Sequence, residues 1–99
     1  MSTTVIIAST TAGGTGTSSP TEGTRLRVAC YGLDEAGEKC EVFVVTPLGN
    51  VPYRGWAENG NSLAVVLNVN QPIVDLPGGW DYAFVLSKTN SNAAVYKVN

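Results

Sequence analysis

Apolar residues recur at every second position along most of this chain. Leu26, Val28 and Cys30 alternate with Arg25, Arg27 and Ala29, and Cys40, Val42 and Val44 share one face of the stretch from Lys39 to Thr46. Leu63, Val65, Leu67 and Val69 repeat the pattern, as do Trp80, Tyr82, Phe84 and Leu86. Alternation of this kind marks strands with one buried face. Turn-forming residues separate the stripes: Gly32 to Glu38, Pro47-Leu48-Gly49-Asn50, Asn59-Gly60, Asn70-Gln71-Pro72, Pro77-Gly78-Gly79 and Thr89 to Asn92. Between them, Val51 to Trp56 reads as a short strand that Pro52 confines to an edge or a bulge. Ile73 to Leu76 and Ala93 to Val98 complete a set of seven or eight strands, with no helix. Even spacing with turns between strands predicts a small antiparallel β-sandwich, immunoglobulin-like or related. Folding 26–46 as a hairpin about Glu35 sets Cys30 opposite Cys40, Val28 opposite Val42 and Leu26 opposite Val44, and all three pairs agree in face.

The N-terminal quarter reads differently. Sixteen of the first 24 residues are Thr, Ser or Gly, and Glu22 is their only charge. The run from Gly13 to Pro20 has the composition of a flexible linker. Thr3 to Thr10 is β-prone, so residues 1–23 are expected to form an arm with one short strand, and residues 24–99 the sandwich. Val5, Ile6 and Ile7 either pair at an edge of their own sheet or add a strand to a neighbour, the latter making them partner-binding residues.

Composition narrows the function. The 99 residues fit one domain, 43% of them apolar, but only 14% are charged against a usual value near 25%. The six basic residues are scattered and the net charge is −2, which argues against nucleic acid as a partner. Val5-Ile6-Ile7-Ala8 is far too short for a membrane span and for the apolar part of a secretory signal. Synthesis in a cytoplasm is therefore expected.

Candidate chemistry is sparse. The chain has no His, the commonest general base and metal ligand. Of the carboxylates Glu22, Asp34, Glu35, Glu38, Glu41, Glu58, Asp75 and Asp81, only Asp75 and Asp81 flank one turn, and Asp34, Glu35 and Glu38 read as a solvated acidic turn. Two cysteines without His make no zinc site. Cys30 and Cys40 read as buried small hydrophobes in a reducing compartment, with a disulfide formed after release as the alternative. No catalytic residue, metal or cofactor is expected. Tyr53, Trp56, Trp80 and Tyr82 are candidates for stacking on sugar rings, against which Trp80, Tyr82 and Phe84 read first as the core stripe of the longest strand. Tyr53, Arg54 and Trp56, beside the Asn-Gly turn, read as a contact surface for a protein or a sugar, with Trp56 partly exposed.

The segment Val74-Asp75-Leu76-Pro77-Gly78-Gly79-Trp80-Asp81-Tyr82-Ala83-Phe84-Val85 resembles the late strands of immunoglobulin-like and fibronectin-like sandwiches. The chain as a whole, small, all-β and with a Thr/Ser/Gly-rich start, resembles capsid decoration proteins of tailed bacteriophages. That resemblance implies a non-enzymatic virion protein on the outer capsid shell, clamping major capsid subunits, often as a homotrimer. The competing expectation is a carbohydrate- or host-surface-binding module of a phage tail or fibre.

Overall fold

The computed structural model describes residues 3–18, 25–56 and 62–98. These form eleven strands: β1 (Thr3–Thr10), β2 (Gly14–Ser18), β3 (Leu26–Tyr31), β4 (Lys39–Thr46), β5 (Gly49–Pro52), β6 (Arg54–Trp56), β7 (Ser62–Ala64), β8 (Val66–Asn68), β9 (Ile73–Leu76), β10 (Tyr82–Leu86) and β11 (Ala93–Val98). Nine of them make two antiparallel sheets, ordered β1-β11-β3-β9 and β2-β10-β4-β5, with β8 beside the first half of β4. The small antiparallel β-sandwich is therefore the fold.

The pairing follows one rule. The first strand pairs with the last, β2 with β10, β3 with β9, and β4 with β5 and β8. The result is a long antiparallel hairpin rolled up on itself, closed by the extra pairs β11·β3 and β10·β4. Rolled-up Greek keys of this kind are jelly rolls. An immunoglobulin domain instead keeps its last two strands side by side in one sheet. Here β10 and β11 lie in different sheets, so the topology is the related jelly roll.

Two expectations change with that topology. β3 and β4 do not form a hairpin; they belong to opposite sheets. Their stripes still agree because both point into the same core, from opposite sides. Leu26, Val28, Cys30, Cys40, Val42 and Val44 are all buried in it. Nor are residues 3–18 an arm set apart from residues 24–99. β1 pairs with β11 from Thr3↔Val98 to Thr10↔Ala93, and β2 pairs with β10 from Ser18↔Tyr82 to Gly14↔Leu86. The glycines of the supposed linker serve close packing instead. Gly13 turns the chain between sheets at φ 80°, and a Cβ at Gly16 would collide with the Ile6 carbonyl.

Tyr82, Phe84, Leu86 and Leu67, with Ile7, Leu76, Ala93 and Val95, complete the core. Trp80 does not, although it continues the alternation. The strand begins only at Tyr82, after the positive-φ turn at Gly79, and Trp80 is 55% exposed. The stripe from Leu63 to Val69 also breaks. At Val65 the backbone amide leaves the ladder to bond the Tyr53 carbonyl, and Val69 is exposed. β6 and β7 pair as the Asn-Gly signal predicts, while the turn at 57–61 lies outside the described residues.

Candidate interaction surface

The two ends of the sandwich are built differently. At one end, the β3–β4 and β10–β11 crossings run side by side. Glu38 is the buried acidic residue there, 5% exposed, and its two carboxylate oxygens accept the amides of Asp34 and Asn90. Ser91 donates its hydroxyl to Asp34 at 2.8 Å. Lys39 and Ser87 exchange two further bonds, and Thr89 bonds the carbonyls of Thr10 and Thr11. Gly32, at φ 95°, passes so close to the Asn92 carbonyl that no side chain fits. Amide donation to Glu38, first from Asp34 and then from Asn90, holds its carboxyl below the usual range. The expected solvated acidic turn is thus a pin joining two loops, since Glu38 points inward while Asp34 and Glu35 stay exposed.

The opposite end is open. The β4–β5 turn and the loop from Pro77 to Asp81 meet there, joined by the Val45 amide donating to the Asp81 carbonyl at 2.9 Å. Tyr82 fixes the loop by donating its hydroxyl to the Pro77 carbonyl at 2.7 Å. Burial, with Tyr53 adding to it, pushes the Tyr82 phenol up to about 12. Tyr53 meets Tyr82 edge-on, with ring centroids 5.9 Å apart, and its backbone is held between Val42 and Val65. On this frame stand two large apolar side chains without cover: Leu48, wholly exposed at the turn tip, and Trp80. Val45 and Val51, three residues to either side of Leu48, are exposed as well.

Two recesses open at this end. One, of about 260 Å³, is lined by Thr17, Ser18, Val45, Asp81 and Tyr82. The other, of about 440 Å³, is lined by Arg25, Tyr53, Asp75, Leu76 and Pro77. Asp75 is held ionised by Arg27, whose guanidinium donates to it at 2.8 Å. Asp75 and Asp81 therefore line different recesses and do not form a facing pair. Among the described residues, no group of three His, Cys, Asp or Glu gathers to hold a metal. What the arrangement offers is a hydrogen-bonded frame carrying exposed apolar side chains, with Arg25 exposed at the larger recess.

The structure distributes the other candidate residues as follows. Tyr53 belongs to the open end, half-buried in the larger recess, while Arg54 is exposed on β6 opposite Ala64. Trp56 ends β6 opposite Ser62, and its side chain lies outside the described residues, as do Glu22 and Glu58. Val5, Ile6 and Ile7 sit on β1: Ile7 is in the core, Ile6 packs against it and Val5 faces outward. Cys30 and Cys40 are buried free thiols, which burial pushes up to about 11 and about 12. Sequence reasoning missed Leu48 as an exposed apolar side chain and placed Trp80 in the core stripe ahead of an exposed, sugar-stacking position. The signal was present in both cases, because each sits within a Pro/Gly turn where a large apolar side chain has no core to enter. No family model matches the chain, and neither a curated protein nor a solved structure does.

Proposed function

We propose that this chain is a non-enzymatic structural protein of a virion, made in the host cytoplasm and seated on the outer capsid shell as a decoration protein. Its open end docks on the major capsid protein through Trp80 and Leu48. The observation that carries this reading is the placement of those two side chains. Fully exposed Leu48 and half-exposed Trp80 project from turns that are themselves tied down by Tyr82 and Asp81. Large apolar side chains on a preorganised frame lose little freedom on docking, and a tryptophan of this kind is the usual energetic centre of an interface. The jelly roll is consistent with the reading, because viral capsid domains use it, but lectin domains use it as well, and fold alone assigns no function.

Co-sedimentation with purified capsid shells of a tailed bacteriophage tests the proposal. Wild-type protein is expected to sediment with the shells, and the Trp80→Ala/Leu48→Asp pair to stay in the supernatant with an unchanged melting curve. Failure of the wild-type protein to sediment overturns the decoration role. Glycan-array binding that Trp80→Ala abolishes would replace it with the sugar-binding module.

A further inference from the structure

The core holds a pair of groups that the open end does not use. Cys30 is the last residue but one of β3, and Cys40 is the second residue of β4. β3 runs to the end pinned by Glu38 and β4 runs back from it, joined by residues 32–38, so both thiols lie at the same level of the sandwich. The two sheets meet along β1 and β2, and β3 and β4 each stand third from that side. Third strand therefore faces third strand across the core. Both cysteine side chains are buried in it.

Stacked sheets usually lie about 10 Å apart, whereas a disulfide needs Cα atoms within about 7 Å. The corner that holds these thiols is drawn in. β8 pairs with Cys40 through Leu67, and β8 and β3, which lie in opposite sheets, bring Cα atoms within 8 Å of each other. A two-residue turn at Val69 and Asn70 makes the crossing. Asn68 and Gln71 exchange both backbone bonds across it, and the carbonyl of the next residue, Pro72, accepts the Cys30 amide at 2.8 Å. The chain thus passes in one tight turn from the partner of Cys40 to the partner of Cys30. Burial is the main cause that raises the Cys40 thiol, and its nearness to Cys30 is the next.

We propose that Cys30 and Cys40 form a latent staple between the two sheets, remaining thiols in a reducing compartment and joining as a disulfide when the chain folds in an oxidising one. The proposal does not depend on the function given to the open end. The oxidant is a small-molecule disulfide. In the unfolded chain one cysteine thiolate attacks it, its S–S bond breaks and one small thiol leaves. The second cysteine, brought up as the sheets close, loses its proton, attacks the mixed disulfide and expels the other small thiol. Two cysteine protons and two electrons pass to the small disulfide, which ends as two thiols. The closed fold cannot start the exchange, because both sulfurs are buried and protonated near neutral pH. Burial likewise shields the finished bond from reductant.

Refolding of the reduced full chain from urea tests it, once into a mixture of oxidised and reduced glutathione and once into excess reductant. The glutathione-refolded protein is expected to be two hydrogens lighter, native by circular dichroism, and to release a peptide linked through Cys30 and Cys40 on digestion. Closing this short loop in the unfolded chain should raise the folding constant about a hundredfold over the reduced protein, read from urea unfolding. Cys40→Ala, and Cys30→Ala as its check, should show no such difference between the two buffers. The proposal is overturned by a refolded chain that keeps two free thiols, carries glutathione on both, links to a second chain, or gains the bond only with loss of the native spectrum. A linked form no more stable than the reduced one overturns it as well.

Discussion

The pinned end and the open end of this jelly roll solve opposite problems with the same material. The pinned end is made of loops crossing between the sheets, the open end of one such loop, Pro77 to Asp81, and the β4–β5 turn within one sheet. At the pinned end the loops bond each other through Glu38, Ser91 and Thr89, and no large apolar side chain stands out from the turns at 34–38 and 87–92. At the open end the bonds between loops are confined to their bases, Tyr82 to Pro77 and Val45 to Asp81; the β4–β5 turn is closed only within itself, by the Thr46 hydroxyl donating to the Gly49 carbonyl and accepting the Leu48 amide, and the tips carry Leu48 and Trp80 into solvent. A chain with so few charges can therefore be closed at one end by a single buried carboxylate and still present apolar anchors at the other. The difference teaches that hydrogen-bonded closure and exposed apolar side chains are placed at separate ends, and each can be perturbed on its own.

The largest effect is expected at Gly32. Any side chain there meets the Asn92 carbonyl and forces an L-residue to a positive φ. Gly32→Val should cost about 3 kcal/mol, read from urea unfolding, as overpacking beside backbone strain commonly does. Next comes Glu38→Gln, which removes one of the two oxygens that cap the Asp34 and Asn90 amides. Its melting temperature should fall by less than that of Gly32→Val. The wild-type pH profile should carry the same signature. The Glu38 carboxyl sits lower in the fold than its unfolded value near 4.3. Its contribution is therefore whole above that value and is lost as pH falls through the folded one. Glu38→Gln should flatten this acid limb, and an unchanged limb would remove the pin from the account.

The thiols give the alkaline counterpart. Cys30 and Cys40 hold their protons to about 11 and about 12 in the fold, against about 8.5 in an unfolded chain. Their raised values support stability below the unfolded value, and that support is lost as pH rises towards the folded ones. Iodoacetamide at pH 8 should leave both unmodified in native protein and alkylate both in urea. The smallest effect is expected at the open end. Leu48→Ser and Trp80→Ala touch little of the core and should change stability by no more than about 0.5 kcal/mol.

The sequence made the buried faces legible and left their partners open. The stripes of β3, β4 and β10 are buried as their periodicity requires, because a period of two reports which side chains share a face. It does not report whether the facing stripe is the next strand in the same sheet or a strand across the core. Cys30 and Cys40 agree in face under both arrangements, which is why the hairpin reading of 26–46 was self-consistent and still gave the wrong topology. The N-terminal segment misled through composition. Thr, Ser and Gly suggest a linker, yet Gly13 is a glycine because the chain turns there at a positive φ against the Leu86 carbonyl, and Gly16 because β2 passes close to Ile6 of the other sheet. Glu38 was hidden for a similar reason. In sequence it is one of three acids in a turn, and only the return of Asn90 from a distant loop gives it a buried role. Trp80 was hidden by an accident of spacing, two residues before Tyr82 and so in phase with a stripe it does not join.

Amide hydrogen exchange, measured on the free protein and on the same protein bound to purified capsid shells, tests the division between the two ends most directly. The account predicts that the segments around Leu48 and Trp80 exchange readily when free and become protected on the shell, while the segments holding Glu38 and Asn90 are protected in both states. New protection confined to the Glu38 end, or none at Leu48 and Trp80, would contradict it.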